Sequence, residues 1–365
     1  MSRPHIGEAE KQAVLDVLDS GMLVQGPRVA KLEAEVARVT GARHAIATSS
    51  GTTALHTALL AHGIGSGDEV ITTPFTFIAS VNSVLFVGAE PKFVDILPCC
   101  FNIDPNKIEA AVTPKSKAIL PVHLYGCPAN MDAILSIAKT HGLHVIQDAA
   151  QAIGASYKGR RLGTLGTACY SLYATKNVHS AEGGIVTTND DDIAERCRLI
   201  RAHGSARRYY HDVLGFNFRL SDLHAAIALP QLCRIDEISG ARRRNAEYFN
   251  MHIRNPKVVL PNYSPAACNA LMTCAHNGHV WHQYTIRVFG GKRDLALDRL
   301  AHAGVGAAIF YPVPAHCQKH LIDLGLGKVS LPNAEQLADE VLSLPVHPDL
   351  SLDELQIIVA AVNAL

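Results

Sequence analysis

The sequence predicts an α/β fold: a mostly parallel central sheet covered by helices on both faces, followed by a smaller α+β lobe. Three observations predict it. Short β-branched or apolar runs recur from about Ala45 onward, namely AIATSS, EVITTP, KFVDI, AILPVHLYG, HVIQDAA, YSLYATK and GGIVTT, and each ends in polar or glycine-rich residues. Helix-like stretches separate them, the alternation that lays strands side by side in parallel with crossover helices on the faces. After Gly240 the texture changes to a basic helical segment, ARRRNAEYF, then WHQYTIRV, a proline-rich YPVPAH and two closing helix-like stretches. The expected division is a large α/β domain over 1–240, N-terminal arm included, and a small α+β domain over 241–365.

The chain begins with an arm leading into GEAEKQAVLDVLDSG, where Val14, Val17 and Leu18 recur at helical spacing and Gly21 supplies a stop. An amphipathic first helix follows from that pattern. At 365 residues the chain buries a substantial core. Lys and Arg number 33 and Asp and Glu number 33, so no global field recruits nucleic acid or an acidic membrane surface, and any anionic ligand is held locally. MSRPHIGEAEKQ has no apolar core of signal-peptide length and no later run is long enough to span a bilayer, which makes a soluble, cytoplasmic protein the expectation. The nine cysteines lack framework spacing and are expected to be reduced thiols. No low-complexity segment or internal repeat interrupts the pattern.

Ligands of such sheets lie beyond the carboxyl ends of the strands, and three polar clusters fall there. In SLYATKNVHSAEGGIVTT, Lys176 follows an apolar strand spanning Tyr170 to Ala174 and precedes Gly183 and Gly184. A lysine presented at a strand end can be desolvated into a nucleophilic amine that forms a Schiff base with an aldehyde cofactor. The alternative at this level is a solvated surface lysine. In HVIQDAAQ an apolar run ends in Asp148, a carboxylate able to pair with a protonated pyridine nitrogen, and Gln151 three residues on could bond a ring oxygen. Alternatively Asp148 caps a following helix. In AIATSSGTTALHTAL a strand runs through Ser49, Ser50, Gly51 and Thr52 into a helix, and free amides at a helix start cradle phosphate. An ordinary N-cap has the same composition.

Together these clusters offer a lysine, an acid for a ring nitrogen and a phosphate cradle on one sheet. The order SSGTTALHTAL, TTPFTFIAS, PVHLYGCPANMDAI, VIQDAAQAIGA, YSLYATKNVHSAEGGIVTT, GFNFRLSDLHAAIALPQL, WHQYTIRV, FYPVPAH and LSLPVHP resembles the DegT/DnrJ/EryC1/StrS sugar aminotransferases from about Arg3 to the C-terminus. The resemblance implies the fold type I architecture of pyridoxal 5'-phosphate-dependent aminotransferases and a homodimer with shared active sites. It implies that Lys176 holds the cofactor and shuttles a proton, that Asp148 pairs with the pyridine nitrogen and that Gln151 contacts the ring oxygen. Ser171, Gly51 and Thr52 would bind the phosphate, and Phe77 would stack on the ring. Asn217 resembles the asparagine that reaches the other subunit's cofactor, Arg219 shares that interface segment, and Tyr311 and His316 match positions near the sugar.

Two positions depart from the family pattern: Cys127 stands where glutamine is common, and Pro230 interrupts a segment that usually reads as continuous helix. The expected reaction is a ping-pong transfer of an amino group from an amino acid, L-glutamate first among donors, to a nucleotide-linked 3- or 4-keto sugar. Arg207, Arg208 and Arg219, the Arg242 to Arg244 patch, and Lys158 with Arg160 are candidate partners for the diphosphate; a solvated helix face is the alternative for the triple arginine. Rival readings are a keto-cyclitol aminotransferase, a sugar dehydratase of the same family, which carries histidine where Lys176 stands, and a non-catalytic regulator that binds sugar or cofactor. Cys268, Cys274, His276, His279 and His282 match no zinc spacing, so no metal is expected.

Overall fold

The computed structural model describes residues 4–261 and 278–365. Helices α1 (Glu8–Ser20) and α2 (Pro27–Thr40) precede the sheet. Gly21 closes α1 in a left-handed conformation, φ 70°, as its place at the end of the pattern requires. Val17 is buried but Leu18 is 51% exposed, so this chain covers only part of the expected apolar face.

Strands and helices then alternate through β1 (His44–Thr48), α3 (Gly51–Ala61), β2 (Glu69–Thr72), α4 (Ala79–Phe86), β3 (Glu90–Phe93), α5 (Pro105–Ile108), β4 (Ser116–Leu120), α6 (Met131–His141) and β5 (His144–Asp148). A short hairpin, β6 (Ser156–Tyr157) and β7 (Arg160–Arg161), leads to β8 (Thr167–Ser171) and β9 (Gly184–Thr188). Seven of these strands form one sheet in the order β1-β9-β8-β5-β4-β2-β3. The run from β8 to β3 is parallel, while β9 is antiparallel to both neighbours. All seven apolar runs of the sequence contribute a strand. The bounds differ at one telling place: β8 ends at Ser171, so Lys176 stands five residues beyond it, not at its tip.

Burial on both faces explains why these runs are continuous and not alternating. Ala45 and Ala47 of β1 pack into one apolar cluster and Ile46 into the other; Ile71 and Val70, then Ile119 and its neighbours Ala118 and Leu120, divide in the same way. Each fully buried isoleucine here contributes roughly 1.5–3 kcal/mol.

Beyond the sheet come α7 (Asp191–Ile200), α8 (Asp222–Cys233) and α9 (Ile235–His252), followed by β10 (Val258–Val259), β11 (Tyr284–Val288), α10 (Arg293–His302), α11 (Lys319–Asp323), α12 (Pro332–Glu340), β12 (Val341–Leu344) and α13 (Leu352–Asn363). The last strands build an antiparallel sheet, β10-β11-β12, whose core joins Phe249, Tyr284, Ile286, Leu342 and Ile358. Gly240 lies inside α9. Pro230 does not break α8, which runs on to Cys233; with under a turn remaining, the missing amide costs one bond near a terminus.

Cys169, Cys197, Cys233 and Cys317 are free thiols. Cys99 is disulfide-bonded, a correction to the expectation of reduced cysteines throughout. Among the described residues no helix is long and apolar enough to cross a membrane. Nor, among them, do three or more His, Cys, Asp or Glu side chains gather as a metal site; Cys268, Cys274 and His276 lie outside the described residues.

The arm is fastened to the large sheet's helices through one carboxylate. Asp222, 1% exposed, accepts hydrogen bonds from the amides of Gly26 (2.9 Å), Arg28 (3.1 Å) and Val29 (2.9 Å), and so sits between the amino ends of α2 and α8. Asp222→Ala strands those buried donors. It is expected to lower stability by on the order of 3 kcal/mol, read from the denaturant midpoint, with Asp222→Asn losing less because its amide oxygen still accepts.

Candidate active site

The carboxyl ends of β1, β2, β4, β5 and β8 face one cavity of about 570 Å³. β9 runs the other way, so its amino end, at Gly184, reaches the same edge. Thr48 pairs with Gly184, and there a Cβ would lie 2.1 Å from the carbonyl oxygen of Ser50. Glycine is needed for that close approach.

Ser50 caps α3: its Oγ accepts from the amide of Thr53 at 3.1 Å, and Thr53 Oγ1 receives the Ser50 amide in return at 2.9 Å. The ordinary N-cap is therefore real, and it leaves the first amides of the helix open. Gly51 and Thr52, the first two residues of the helix, have no intrahelical acceptor for their amides and line the cavity. Ser171 lines it opposite, so close that a Cβ on Gly51 would stand 2.8 Å from the serine's own.

Asp148 ends β5 and is 5% exposed. No helix follows for it to cap. Its Oδ2 accepts from Ser80 Oγ at 2.6 Å and its Oδ1 from the amide of Ala150 at 3.0 Å, and Ser80 in turn meets Thr76 Oγ1 at 2.8 Å. Lys176 borders the same cavity, held by a turn in which its amide bonds the carbonyl of Tyr173 at 2.9 Å. It is not the solvated lysine that local sequence allows. Burial pushes its ammonium down to about 8 against the pull of Asp148. Burial raises the Asp148 carboxyl, opposed first by the Ser80 and Ala150 hydrogen bonds and then by Lys176.

Side chains absent from the sequence-level reading hold the lysine loop in place. Gln231 on α8 clamps the backbone of His179, accepting its amide and donating to its carbonyl, both at 3.0 Å. Asn177 donates to the carbonyl of Val280 at 3.0 Å and meets His282 at 3.3 Å, tying the loop to the small sheet. Burial, with Lys176 and Arg242 nearby, pushes the His282 imidazole well down, so it faces the lysine uncharged. Gln231 lies in the motif ALPQL, and nothing in its spacing marks the clamp.

Lys176, Asp148, Gly51, Thr52, Phe77, Gln151, Ser171 and Tyr311 thus converge on one space. Gln151 is already engaged, accepting the Tyr125 amide at 2.6 Å and donating to the Tyr311 hydroxyl at 3.2 Å. Phe77 offers a 57% exposed ring. Three expected residues do not line the cavity. Asn217 and Arg219 are exposed, in a segment joined to the phosphate turn where the Ser49 amide bonds the Phe218 carbonyl at 2.8 Å. His316 is 1% exposed, with Nε2 3.2 Å from Glu335 and its ring against Phe93, so in this chain it has no open face for a sugar. Of the candidate diphosphate cations only Arg242 borders the cavity. Arg207 and Arg208 stack on Tyr210 and Tyr209, and Lys158 pairs with Asp132 at 2.6 Å.

A desolvated amine, a buried carboxylate and open amides at a helix start fit pyridoxal 5'-phosphate in size and in chemistry. The model of the DegT/DnrJ/EryC1/StrS aminotransferase family matches residues 4–363. The chain belongs to that family. The recognition, the fold type I architecture and the sugar-aminotransferase class expected from the motifs are borne out at that level. A pleiotropic regulatory protein of Geobacillus stearothermophilus is 46% identical over 361 residues, covering 96% of this chain and 92% of that one. A UDP-N-acetyl-3-dehydro-alpha-D-glucosamine 3-aminotransferase of Acidithiobacillus ferrooxidans is 41% identical over 341 residues, 93% of this chain and 89% of the other. Among solved structures, S. venezuelae DesV in complex with a ketimine intermediate superposes with TM-score 0.90 at 38% identity, over 97% of this chain and 93% of DesV. The ntda protein of Bacillus subtilis with bound cofactor PMP does so with TM-score 0.89 at 32% identity, over 98% and 82%. Cofactors of the pyridoxal class are thus in use within the family.

In cofactor-free protein, trapping of a small aldehyde on Lys176 by borohydride is expected to speed up with pH through a midpoint near 8, because only the neutral amine attacks. Asp148→Asn removes a charge that favours the ammonium, so the midpoint should fall further. A midpoint near the ordinary lysine value, read by mass spectrometry of the labelled peptide, would mean the amine is solvated.

Proposed function

We propose that this enzyme transfers an amino group from an amino acid, L-glutamate first among donors, to a nucleotide-linked keto sugar of the 3- or 4-keto class, by a ping-pong mechanism. The observation that carries the reading is the desolvated Lys176 sharing a cavity with the buried Asp148. The A. ferrooxidans relative, named as a 3-aminotransferase of a UDP-linked 3-keto sugar, supports the acceptor class.

Lys176 is the residue to hold pyridoxal 5'-phosphate covalently, with Asp148 at its ring nitrogen, Phe77 against its face, Gln151 near the ring oxygen, and Gly51, Thr52 and Ser171 at the phosphate. Bound there, the group supplies an electron sink for a carbanion at the donor's α-carbon. The bonds from Ser80 and Ala150 favour the ionised form of Asp148 against its burial, and that form is the one that would keep a ring nitrogen protonated. The Lys176 amine, once released, takes the α-proton and returns it elsewhere, which requires a group that ionises near neutrality and not near 10. The donor would leave as its 2-oxo acid, its carbonyl oxygen taken from water. The acceptor's carbonyl carbon would receive the nitrogen and one proton, and its oxygen would depart as water.

Asn217 and Arg219 are exposed and do not line their own chain's cavity. That supports a homodimer in which each chain completes the partner's site. Tyr311, beside Gln151 and Phe77, is the residue of this chain placed to meet the sugar. A regulatory reading draws on the G. stearothermophilus relative's name. It gives no reason for a lysine and an aspartate to be desolvated together.

Cofactor-loaded protein should lose its visible absorbance on addition of L-glutamate, with one equivalent of 2-oxoglutarate formed, and regain it when a UDP-linked 3-keto sugar is added. Lys176→Ala should do neither. If the loaded wild-type protein keeps its colour with every amino acid tried, the transfer reaction is wrong and the regulatory reading gains.

A further inference from the structure

Two atoms on the wall of the cavity are left unbonded, and each offers what the other lacks. Lys176 carries three N–H donors on Nζ, which meets no acceptor among the described residues; the oxygens of Asp148, the acid that supports its charge, are engaged by Ser80 and Ala150. His282 supplies an acceptor. Asn177 Nδ2 donates to the carbonyl of Val280 at 3.0 Å, and because a carbonyl only accepts, the amide cannot be turned round. Its Oδ1 therefore faces His282 Nδ1 at 3.3 Å, and that nitrogen is the one that carries the proton. Nε2 is left with a bare lone pair. It has no partner among the described residues and is not sealed in the interior, so it opens at the cavity that His282 lines.

The imidazole is fixed in place as well as in tautomer. Its segment is bonded to a neighbouring turn through the Val280 amide, on the Gly126 carbonyl at 3.1 Å, and the Gln283 amide, on the Tyr125 carbonyl at 3.2 Å, while Arg242 holds the His282 carbonyl at 3.2 Å. Gly126 packs so closely that a Cβ there would stand 3.1 Å from the His282 amide nitrogen. The charged and titratable groups acting on the ring are Lys176 from the loop after β8, Arg242 from α9 and His279 from its own segment, and each opposes a second proton on it. Nε2 is in consequence an acceptor at any pH near neutrality.

We propose that His282 is a positioning residue for the reactive lysine: on the aminotransferase reading, its Nε2 accepts a hydrogen bond from the released Lys176 Nζ and so turns the amine's lone pair toward the donor's α-carbon. When the α-proton moves to Nζ, the C–H electron pair stays with the carbon and the amine becomes an ammonium. A neutral acceptor bonds an ammonium more strongly than an amine, so the bond tightens as that charge develops. Asn177, next to Lys176 in the chain, couples the two: the residue that ties the lysine loop to the small sheet also decides which imidazole nitrogen is free to meet the lysine.

Two amides separate the roles of the two nitrogens. His282→Asn places its amide at the Nδ1 position, keeping a donor for Asn177 and removing the acceptor; His282→Gln reaches the Nε2 position, keeping the acceptor and losing that donor. In cofactor-free protein, borohydride trapping of acetaldehyde on Lys176 is followed against pH by mass spectrometry of the labelled peptide. Loss of an acceptor disfavours the ammonium, so His282→Asn should lower the midpoint by roughly one pH unit, and His282→Gln should stay close to wild type. At neutral pH the asparagine variant then traps aldehyde faster than wild type, yet loaded with cofactor it should bleach with L-glutamate about tenfold more slowly. A loosened fold would slow both. The opposite ranking, with glutamine low and asparagine normal, would show a purely structural role through Asn177 and overturns the proposal, as do midpoints unchanged in both variants or lowered equally in both. Should the asparagine variant not fold, His282→Ala takes its place under the same outcomes. If the midpoint follows His282 as expected while loaded wild-type protein takes no amino group from any amino acid, the contact between the two side chains stands and the transfer reaction does not.

Discussion

Lys176 and Asp148 carry opposite charges into a space where burial disfavours both, and the architecture of the large sheet serves to keep them there. Their attraction offsets part of the desolvation and leaves the rest, which brings the ammonium down to about 8. Such a balance needs fixed geometry. Asp148 has its backbone built into the sheet and both carboxylate oxygens occupied, and the lysine, although on a turn beyond its strand, is fastened from two sides by Gln231 and Asn177. A loop so anchored positions its charge with strand-like precision while leaving the side chain room to swing.

The sheet was legible in the sequence because strands buried on both faces leave uninterrupted apolar runs, and no other element of that length does so beside helical periodicity. The lysine, aspartate and Ser-Gly-Thr clusters were legible because chemistry at strand ends concentrates polar residues where an apolar run stops. Their roles split from there. Ser50 caps α3 and also lines the cavity, so the cap does not exclude the cradle that composition could only set against it. The β8 strand stops short of Lys176, since the apolar residues after Ser171 cover the loop and not a ladder.

What stayed hidden depends on contacts between distant segments. One helical step of about 100° separates Arg242 from Arg243, and it decides between cavity and solvent. That angle is invisible in a run of three identical residues when the helix's phase is set by packing on β11 and β12. His316 illustrates the converse: its motif resembles a sugar contact, yet the ring is enclosed by Glu335 and Phe93 of its own chain. Gly184 is needed because the Ser50 carbonyl lies where a side chain would be, a contact between segments distant in sequence.

The cavity wall also bears on how the two sheets depend on each other. Arg242 on α9 holds the carbonyls of Trp281 and His282, His282 meets Asn177, and Asn177 adjoins the lysine. The small sheet is thereby bonded to the lysine loop through polar residues, of which Arg242 and His282 line the cavity. A ligand that hydrogen-bonded to these groups would touch both sheets at once, and binding only to the folded protein it would stabilise their association.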